Sequence, residues 1–419
     1  MSSEPSSDEG FGSSWDRTLR RIRGNDPRVK SLVSGSDDIQ NLTDEEWEEL
    51  GRDISNNTHL INVDLSHAYE LLNDHKMSCL FRGLTRSSTK TLNLDESGFG
   101  VAGLRSMVPF LQNTNSLTRL DIDSCSILAA GFNMLFRALS DSPIERLYCC
   151  DCCIDSIEID SEHKPKHLKT LFLAANGINA DGCRQIAKLL QGGDATLKTL
   201  NLEDNNIDDE GVGILVSALQ SNKSLETLDL ELNSGISRQG QTVLLKLVND
   251  ISSIEATLQS NHTLTDLSLS VDLDRNISIA TETNAVNVSN PEAAGREKMI
   301  HTQLHSERRA ELAALQGVKH SVYSEIDPLH LPEVLVLVGR HHGQGELYIA
   351  LRSSIAGVIS TVNRKECLKQ QSAYYEAKMV EFKKKMEAVN AEIAVIEASE
   401  ESTMSNGSES RSSKKRRAC

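Results

Sequence analysis

Four thiols fall within five residues, Cys149, Cys150, Cys152 and Cys153, with Asp151 between the pairs. Thiolates at that density suit zinc, which takes cysteine, histidine and carboxylate ligands in a tetrahedron. Histidines supply two further sets: His163 with His167 four residues on, and the adjacent His341 and His342. Neither set has the glutamate of a zinc-protease helix, and Pro165 interrupts the first. There is no G-x-S-x-G nucleophile elbow and no Walker-type phosphate loop. Gly339–Gly345 is glycine-rich but lacks the strand before and helix after that a phosphate site requires. No catalytic residue, metal set or cofactor is expected, and the chain reads as a non-enzyme.

What must position these residues is a repeat. The pattern L-x-x-L-x-L-x-x-N recurs at Leu168/Leu171/Leu173/Asn176, Leu197/Leu200/Leu202/Asn205 and Leu225/Leu228/Leu230/Asn233. Looser copies are Leu60/Val63/Leu65, Thr89/Leu92/Leu94, Leu117/Leu120/Ile122/Cys125, Ile144/Leu147/Cys149/Cys152 and Leu264/Leu267/Leu269, with an entry copy at Val29/Leu32. The starts at 29, 60, 89, 117, 144, 168, 197, 225 and 264 are spaced by 31, 29, 28, 27, 24, 29, 28 and 39. The copy at 144 is therefore short and the copy at 225 long. Within each unit the alternating L-x-L triad predicts a short strand. Helical spacing follows it, as in Gly211/Leu215/Leu219, and again in Gly131–Leu139 and Gly182–Leu190.

A strand and a helix in so few residues cannot bury both apolar faces alone. Stacked neighbours can, with a parallel sheet inside and helices outside. The expected fold is an α/β leucine-rich-repeat solenoid. At the ninth position Asn176, Asn205 and Asn233 can satisfy backbone groups where the strand ladder stops. Cys125 and Cys152 take the same slot as small buried side chains. That register puts Cys149 and Cys152 inside and only Cys150 and Cys153 outside, which argues for structural thiols over zinc. A doubly wound nucleotide-binding fold would need longer crossovers, and a coiled coil cannot hold the triads.

Residues 25–270 resemble the ribonuclease-inhibitor class of leucine-rich-repeat proteins, with its alternating 28- and 29-residue units. More narrowly, Asn41–Leu60 (NLTDEEWEELGRDISNNTHL), Asn290–Lys298 (NPEAAGREK) and Leu331–Leu347 are similar to segments of a large diatom family of such proteins. The resemblance implies the repeat fold and a eukaryotic algal setting; it brings no catalytic residues and no partner.

The outward strand positions, two, four and six beyond each first ladder residue, form an inner concave face. They include Asp64; Asn93 and Asp95; Arg119, Asp121 and Asp123; Arg146, Tyr148 and Cys150; Phe172; Asn201 and Glu203; Asp229 and Glu231. Tyr148 and Phe172 form a central aromatic patch with acids on both sides. Such a patch suits protein binding, the acids steering a partner with a basic surface.

Beyond Leu269 the ladder stops. Residues 1–24 read as a disordered flank, 25–270 as the horseshoe and 271–289 as a polar, largely irregular insertion. A helical cap follows at 290–365, its first helix opening at Asn290-Pro291 and running to about Gln316. Further short helices are expected at Leu331–Gly339 and Leu347–Val362. From Leu368 the spacing becomes heptad-like, through Tyr375, Met379, Phe382, Met386, Val389, Ile393 and Ile396. A helix of this kind over 366–398 buries its stripe on a second copy, on the repeats, or on another protein. The tail, 399–419, is Ser-rich and closes on Lys414, Lys415, Arg416 and Arg417. These read as a nuclear import signal, an electrostatic contact to nucleic acid, or a solubilising end.

Composition agrees with these expectations. Sixty acidic against 44 basic residues give a net charge of −16, which repels nucleic acid and anionic membrane over most of the surface. Only 4% of residues are aromatic, as expected of a leucine-filled interior. The N-terminus carries no secretory signal, no apolar run is long enough to span a bilayer, and the nine cysteines are an odd number. An intracellular protein, cytoplasmic or nuclear, is expected. Its function reads as protein–protein recognition. The alternatives are a nuclear adaptor on chromatin or nucleic acid, and a regulator of an enzyme such as a nuclease or small GTPase.

Overall fold

The computed structural model describes residues 14–304, except 35–37, 40–41, 68–72, 161, 194 and 270–274. It also describes residues 312–316 and the single positions 376, 379, 383, 386 and 387. Nine three-residue strands form one parallel sheet in chain order. They are β1 (Ser31–Val33), β2 (Asn62–Asp64), β3 (Thr91–Asn93), β4 (Arg119–Asp121), β5 (Arg146–Tyr148), β6 (Thr170–Phe172), β7 (Thr199–Asn201), β8 (Thr227–Asp229) and β9 (Asp266–Ser268). The register aligns the middle ladder residue of every rung: Leu32, Val63, Leu92, Leu120, Leu147, Leu171, Leu200, Leu228 and Leu267. All nine are buried, and the flanking leucines join them in one aliphatic spine.

Helices return the chain on the other side. They are α2 (Asp44–Asn56), α3 (Asp74–Leu84), α4 (Gly100–Asn113), α5 (Leu128–Ala138), α6 (Ala180–Leu190), α7 (Asp209–Leu219) and α8 (Arg238–Val248), preceded by α1 (Ser14–Arg23). Their starts follow local chemistry. Asp208 caps α7 by accepting from the Gly211 amide, and Asn179 caps α6. Thr43 and Glu46 form a reciprocal capping box at α2. Each helix buries one apolar stripe, such as Val212, Leu215, Val216 and Leu219 on α7.

Among its described residues the short repeat at 144–168 has no helix. In its place a segment without helix or strand buries Ile154, Ile157 and Ile159. Flanking helices serve its backbone: Asn133 accepts from the Glu158 amide, Gln185 from the Ile159 amide, and Lys188 donates to the Ile159 carbonyl. The long repeat at 225–264 holds an extra helix, α9 (Ile254–Gln259).

Two expectations are corrected. The N-terminal flank is not wholly disordered: Ser14–Arg23 is α1, which buries Trp15 and Ile22 and packs on α2. Arg23 pairs there with Glu49 and Asp53. A stack of repeats exposes core at its end, and an amphipathic helix covers it. The polar insertion is likewise mostly helical, as α10 (Arg275–Val286), which packs on β9. It buries polar groups by bonding them, Asn284 donating to the Asn261 and Leu264 carbonyls. Next comes α11 (Pro291–Leu304), whose first residue is the expected proline. Lys298 on it is buried and donates to the Val248 carbonyl at 2.6 Å. Residues 312–316 are helical, and Gln316 exchanges hydrogen bonds with Asn249 and Ile251.

Compact units are residues 1–302 with 307–319, and 303–306 with 320–419. In the second, the described positions Glu376, Met379, Lys383, Met386 and Glu387 are helical, with Met379 and Met386 exposed. The expected helices at 331–339 and 347–362, the pair His341-His342 and the basic Lys414–Arg417 lie outside the described residues.

Candidate protein-binding face

The concave face is built on a polar spine. Each ninth-position asparagine is spent on backbone. Asn205 donates to the carbonyls of Leu173, Leu202 and Glu203, and accepts from the Ile178 amide. Asn233 repeats this one rung later, with Leu202, Leu230, Glu231 and Ile207. Asn176 donates to Cys149, Leu173 and Ala174 carbonyls and accepts from the Cys152 and Ile154 amides. In the same slot the thiols of Cys125 and Cys152 donate to the Leu94 and Ile122 carbonyls, both at 3.1 Å. Ser97, which sequence reasoning missed, completes the series by donating to the Leu65 carbonyl. The residue before the slot turns left-handed at every described rung from β2 to β8: His67, Glu96, Ser124, Asp151, Ala175, Asp204 and Leu232. Non-glycine residues take that conformation at a cost, and from Ser97 to Asn233 the side-chain bonds next door hold it.

A second spine, also missed, lies where helices return to strands. Asn57, Asn222 and Asn261 each accept from the amides of the first ladder leucine and the residue before it, and donate to a carbonyl of the preceding unit, α1 in the case of Asn57. Its signal was available as N-x-x-L before Leu60, Leu225 and Leu264.

On the open face, adjacent strands bring Asp121, Tyr148, Phe172, Asn201 and Asp229 into one row. The Tyr148 and Phe172 rings stack with centroids 4.8 Å apart, and both are half-buried. The Arg119 guanidinium lies 4.5 Å over the Tyr148 ring. Arg119 also holds Asp121 through paired bonds of 2.7–3.0 Å, which raise the arginine's own pKa. An aromatic pair capped by a guanidinium is thus presented already ordered.

This geometry corrects the expected role of Asp121. It is buried and neutralised by Arg119, so it cannot steer a basic partner. Asn201 is buried too, accepting from the Glu203 amide and donating to Asp229. Asp95 and Asp123 are half-buried, each accepting from the amide of the next rung, Asp123 and Cys150 respectively. Burial pushes the Asp95 carboxyl up to about 6, with the Asp123, Asp121 and Asp64 charges adding. Asp123 is raised for the same first reason. The acids left facing outward are Glu203, Asp229 and Glu231, half-buried beyond the aromatic pair, with the exposed Glu96, Asp151 and Asp204.

The cysteine run serves this scaffold. Cys149 and Cys152 are buried, Cys150 is half-buried and Cys153 exposed. Burial pushes the Cys150 thiol up to about 12. Among the described residues no three of its thiols and neighbouring carboxylates converge on a common point. His163 bonds Asp160 at 2.8 Å.

Residues 193–213 match a family model described as a leucine-rich repeat. Over 185 residues, 43% of this chain, the sequence is 31% identical to the ribonuclease inhibitor of Sus scrofa, spanning 36% of that protein. The chain has a leucine-rich-repeat fold and is similar in sequence to ribonuclease inhibitors. It is also 26% identical to the Mus musculus ribonuclease inhibitor over 49% of its length and 46% of the inhibitor's. A third relative, NACHT, LRR and PYD domains-containing protein 5 of Mus musculus, is 23% identical over 51% of the chain and 18% of its own length. This leucine-rich-repeat chain therefore spans well under two thirds of the length of the curated relatives it matches.

Proposed function

We propose that the chain is a non-catalytic protein-recognition scaffold whose concave face takes a protein partner. The Arg119–Tyr148–Phe172 stack is the observation that carries this reading. Large rigid side chains held partly exposed on a broad sheet lose little conformational freedom on contact, and such groups dominate interface energy. Glu203, Asp229 and Glu231 border the stack and favour a partner segment bearing lysine or arginine. Repeat proteins with this architecture offer extended concave surfaces for such contacts.

The test uses the full chain. A photo-reactive residue replacing Thr199 on the concave sheet should capture protein, whereas one replacing Arg184 on the outer helices should not. The concave capture should vanish when Tyr148→Ala and Phe172→Ala are combined, with the circular dichroism unchanged. Equal capture from both faces, or capture indifferent to the aromatic pair, overturns the reading.

A second reading is favoured by the pig relative, whose name is that of a ribonuclease inhibitor. Regulation of a nuclease by this chain is tested by adding it to a ribonuclease assay. The nuclear-adaptor reading rests on Lys414–Arg417 and is tested by deleting 414–419 and following localisation. A reducing, intracellular setting is favoured by Cys125 and Cys152, which need their protons to donate to backbone carbonyls. Among the described residues no helix is long and apolar enough to cross a membrane. Self-association through 368–396 is proposed from its heptad spacing and from the exposure of Met379 and Met386.

A further inference from the structure

On the helical side, away from the concave face, α3 carries His75 and Cys79 four residues apart, hence on one face. The neighbouring helix α2 presents Glu48 to the same point. Cys79 Sγ lies 3.7 Å from His75 Nε2, and His75 Nε2 lies 4.0 Å from Glu48 Oε1. The three ligand atoms all fall within 4.8 Å of one another, and this is the one such group among the described residues.

The separations suit a metal. Zinc–sulfur bonds of ~2.3 Å and zinc–nitrogen bonds of ~2.0 Å at a tetrahedral angle put sulfur and nitrogen roughly 3.5 Å apart. Nitrogen and oxygen ligands would stand roughly 3.3 Å apart, so a movement on the order of 1 Å by the exposed imidazole and carboxylate closes the set. Burial is graded accordingly: Cys79 is 4% exposed, while the Glu48 and His75 side chains are each 47% exposed. One ligand is therefore fixed in the helix interface and two are free to adjust at its rim.

Backbone packing sets the approach of the two helices independently of these side chains. A Cβ on Gly51 would lie 2.5 Å from the Cys79 carbonyl oxygen, and one on Gly83 would collide with the Gly51 carbonyl. Only glycine at both positions lets α2 and α3 come this close. That contact carries the Glu48 side chain, almost one turn before Gly51, across to α3. The far oxygen of Glu48, Oε2, lies 3.7 Å from Arg52, which leaves Oε1 for the His75 side. A charged partner behind a ligating carboxylate orients it.

We propose that Glu48, His75 and Cys79 bind a divalent cation of the zinc class and so tie α2 to α3. Sulfur, imidazole nitrogen and one carboxylate oxygen make a borderline-soft donor set, which favours zinc over magnesium or calcium. The thiol gives up its proton to solvent as sulfur takes the metal, and water completes the tetrahedron. The reading is independent of the concave face and of its partner.

The probe is cobalt(II), added to chelator-treated full-length protein. Thiolate ligation produces a sulfur-to-cobalt charge-transfer band, which should saturate at one ion per chain and be displaced by zinc. His75→Ala, at an exposed position, should keep the circular dichroism and weaken binding more than about tenfold. Cys79→Ser should abolish the band, and Glu48→Gln should weaken binding while keeping it. Cys150→Ser with Cys153→Ser should change nothing, which separates this site from the cysteine run. Absence of the band, or a band undiminished by His75→Ala, overturns the proposal. If Cys79→Ser fails to fold, His75→Ala alone decides.

Discussion

The rungs at β7 and β8 and the rungs at β4 and β5 share one backbone path but hold it differently. Asn205 and Asn233 each make three donations and one acceptance, whereas Cys125 and Cys152 each donate once. The asparagine rungs are also followed by regular helices, α7 and α8, while β5 is followed by a segment without helix or strand among the described residues. The aromatic stack of the concave face lies at β5 and β6, where asparagine gives way to cysteine. The repeat geometry thus tolerates a thinner polar spine so long as the aliphatic register persists. The residues proposed to bind sit in and next to the shortest repeat.

The largest effect expected from this contrast is at Asn205. Asn205→Leu would remove four hydrogen bonds, each worth about 0.5–1.5 kcal/mol, and leave the buried Ile178 amide unpaired, while the three carbonyls keep Asn176, Asn233 and the Ala175 amide. A drop of at least about 3 kcal/mol in denaturant unfolding is expected. A loss below 1 kcal/mol would mean that the slot is not what holds the turn. At the proposed partner site, Tyr148→Ala with Phe172→Ala should remove about 2 kcal/mol or more of binding free energy. Its unfolding midpoint should move less than that of Asn205→Leu, because both rings are half-exposed. Cys125→Ala removes a single bond and a small apolar group, so about 1 kcal/mol is expected. A cost equal to that of Asn205→Leu would erase the distinction between the two kinds of rung.

The smallest effect is a pH dependence. Asp95 has a folded-state pKa raised to about 6, so between roughly pH 4 and 6 the native state holds more proton than the unfolded chain. Its contribution to stability is therefore present at low pH and lost as pH rises through 6, opposite to a salt-bridged carboxylate. Asp95→Asn, which can still accept from the Asp123 amide, should raise the melting temperature at pH 8. The gain should fade to nothing near pH 4. A gain that grew on acidification would reverse the sign and remove the burial argument.

The ladder was legible because leucine recurs at fixed offsets and each rung repeats the same physical problem. The burial of Cys149 and Cys152 followed from that register alone. The ends were harder to read. The stripe of α1 is only Trp15, Leu19 and Ile22, set beside a polar low-complexity start. On α10 much of the buried face is Asn276, Thr281, Thr283 and Asn284, so no apolar period announces it. Asp121 was read as free because register gives a side chain's direction but not its partner, here Arg119 two residues away. Glu48, His75 and Cys79 were invisible because their meeting depends on the glycine contact between two helices.

The thiols buried along the middle of the stack have a further use. Burial holds Cys125 and Cys183 near a pKa of about 12 and raises Cys149 and Cys152 as well, so none presents the thiolate that alkylating reagents require. Each becomes reactive only when its own rung opens to water. Brief exposure to an alkylating reagent, followed by mass analysis of which cysteine is tagged, would time the breathing of successive turns from within. The native sequence needs no introduced label for this.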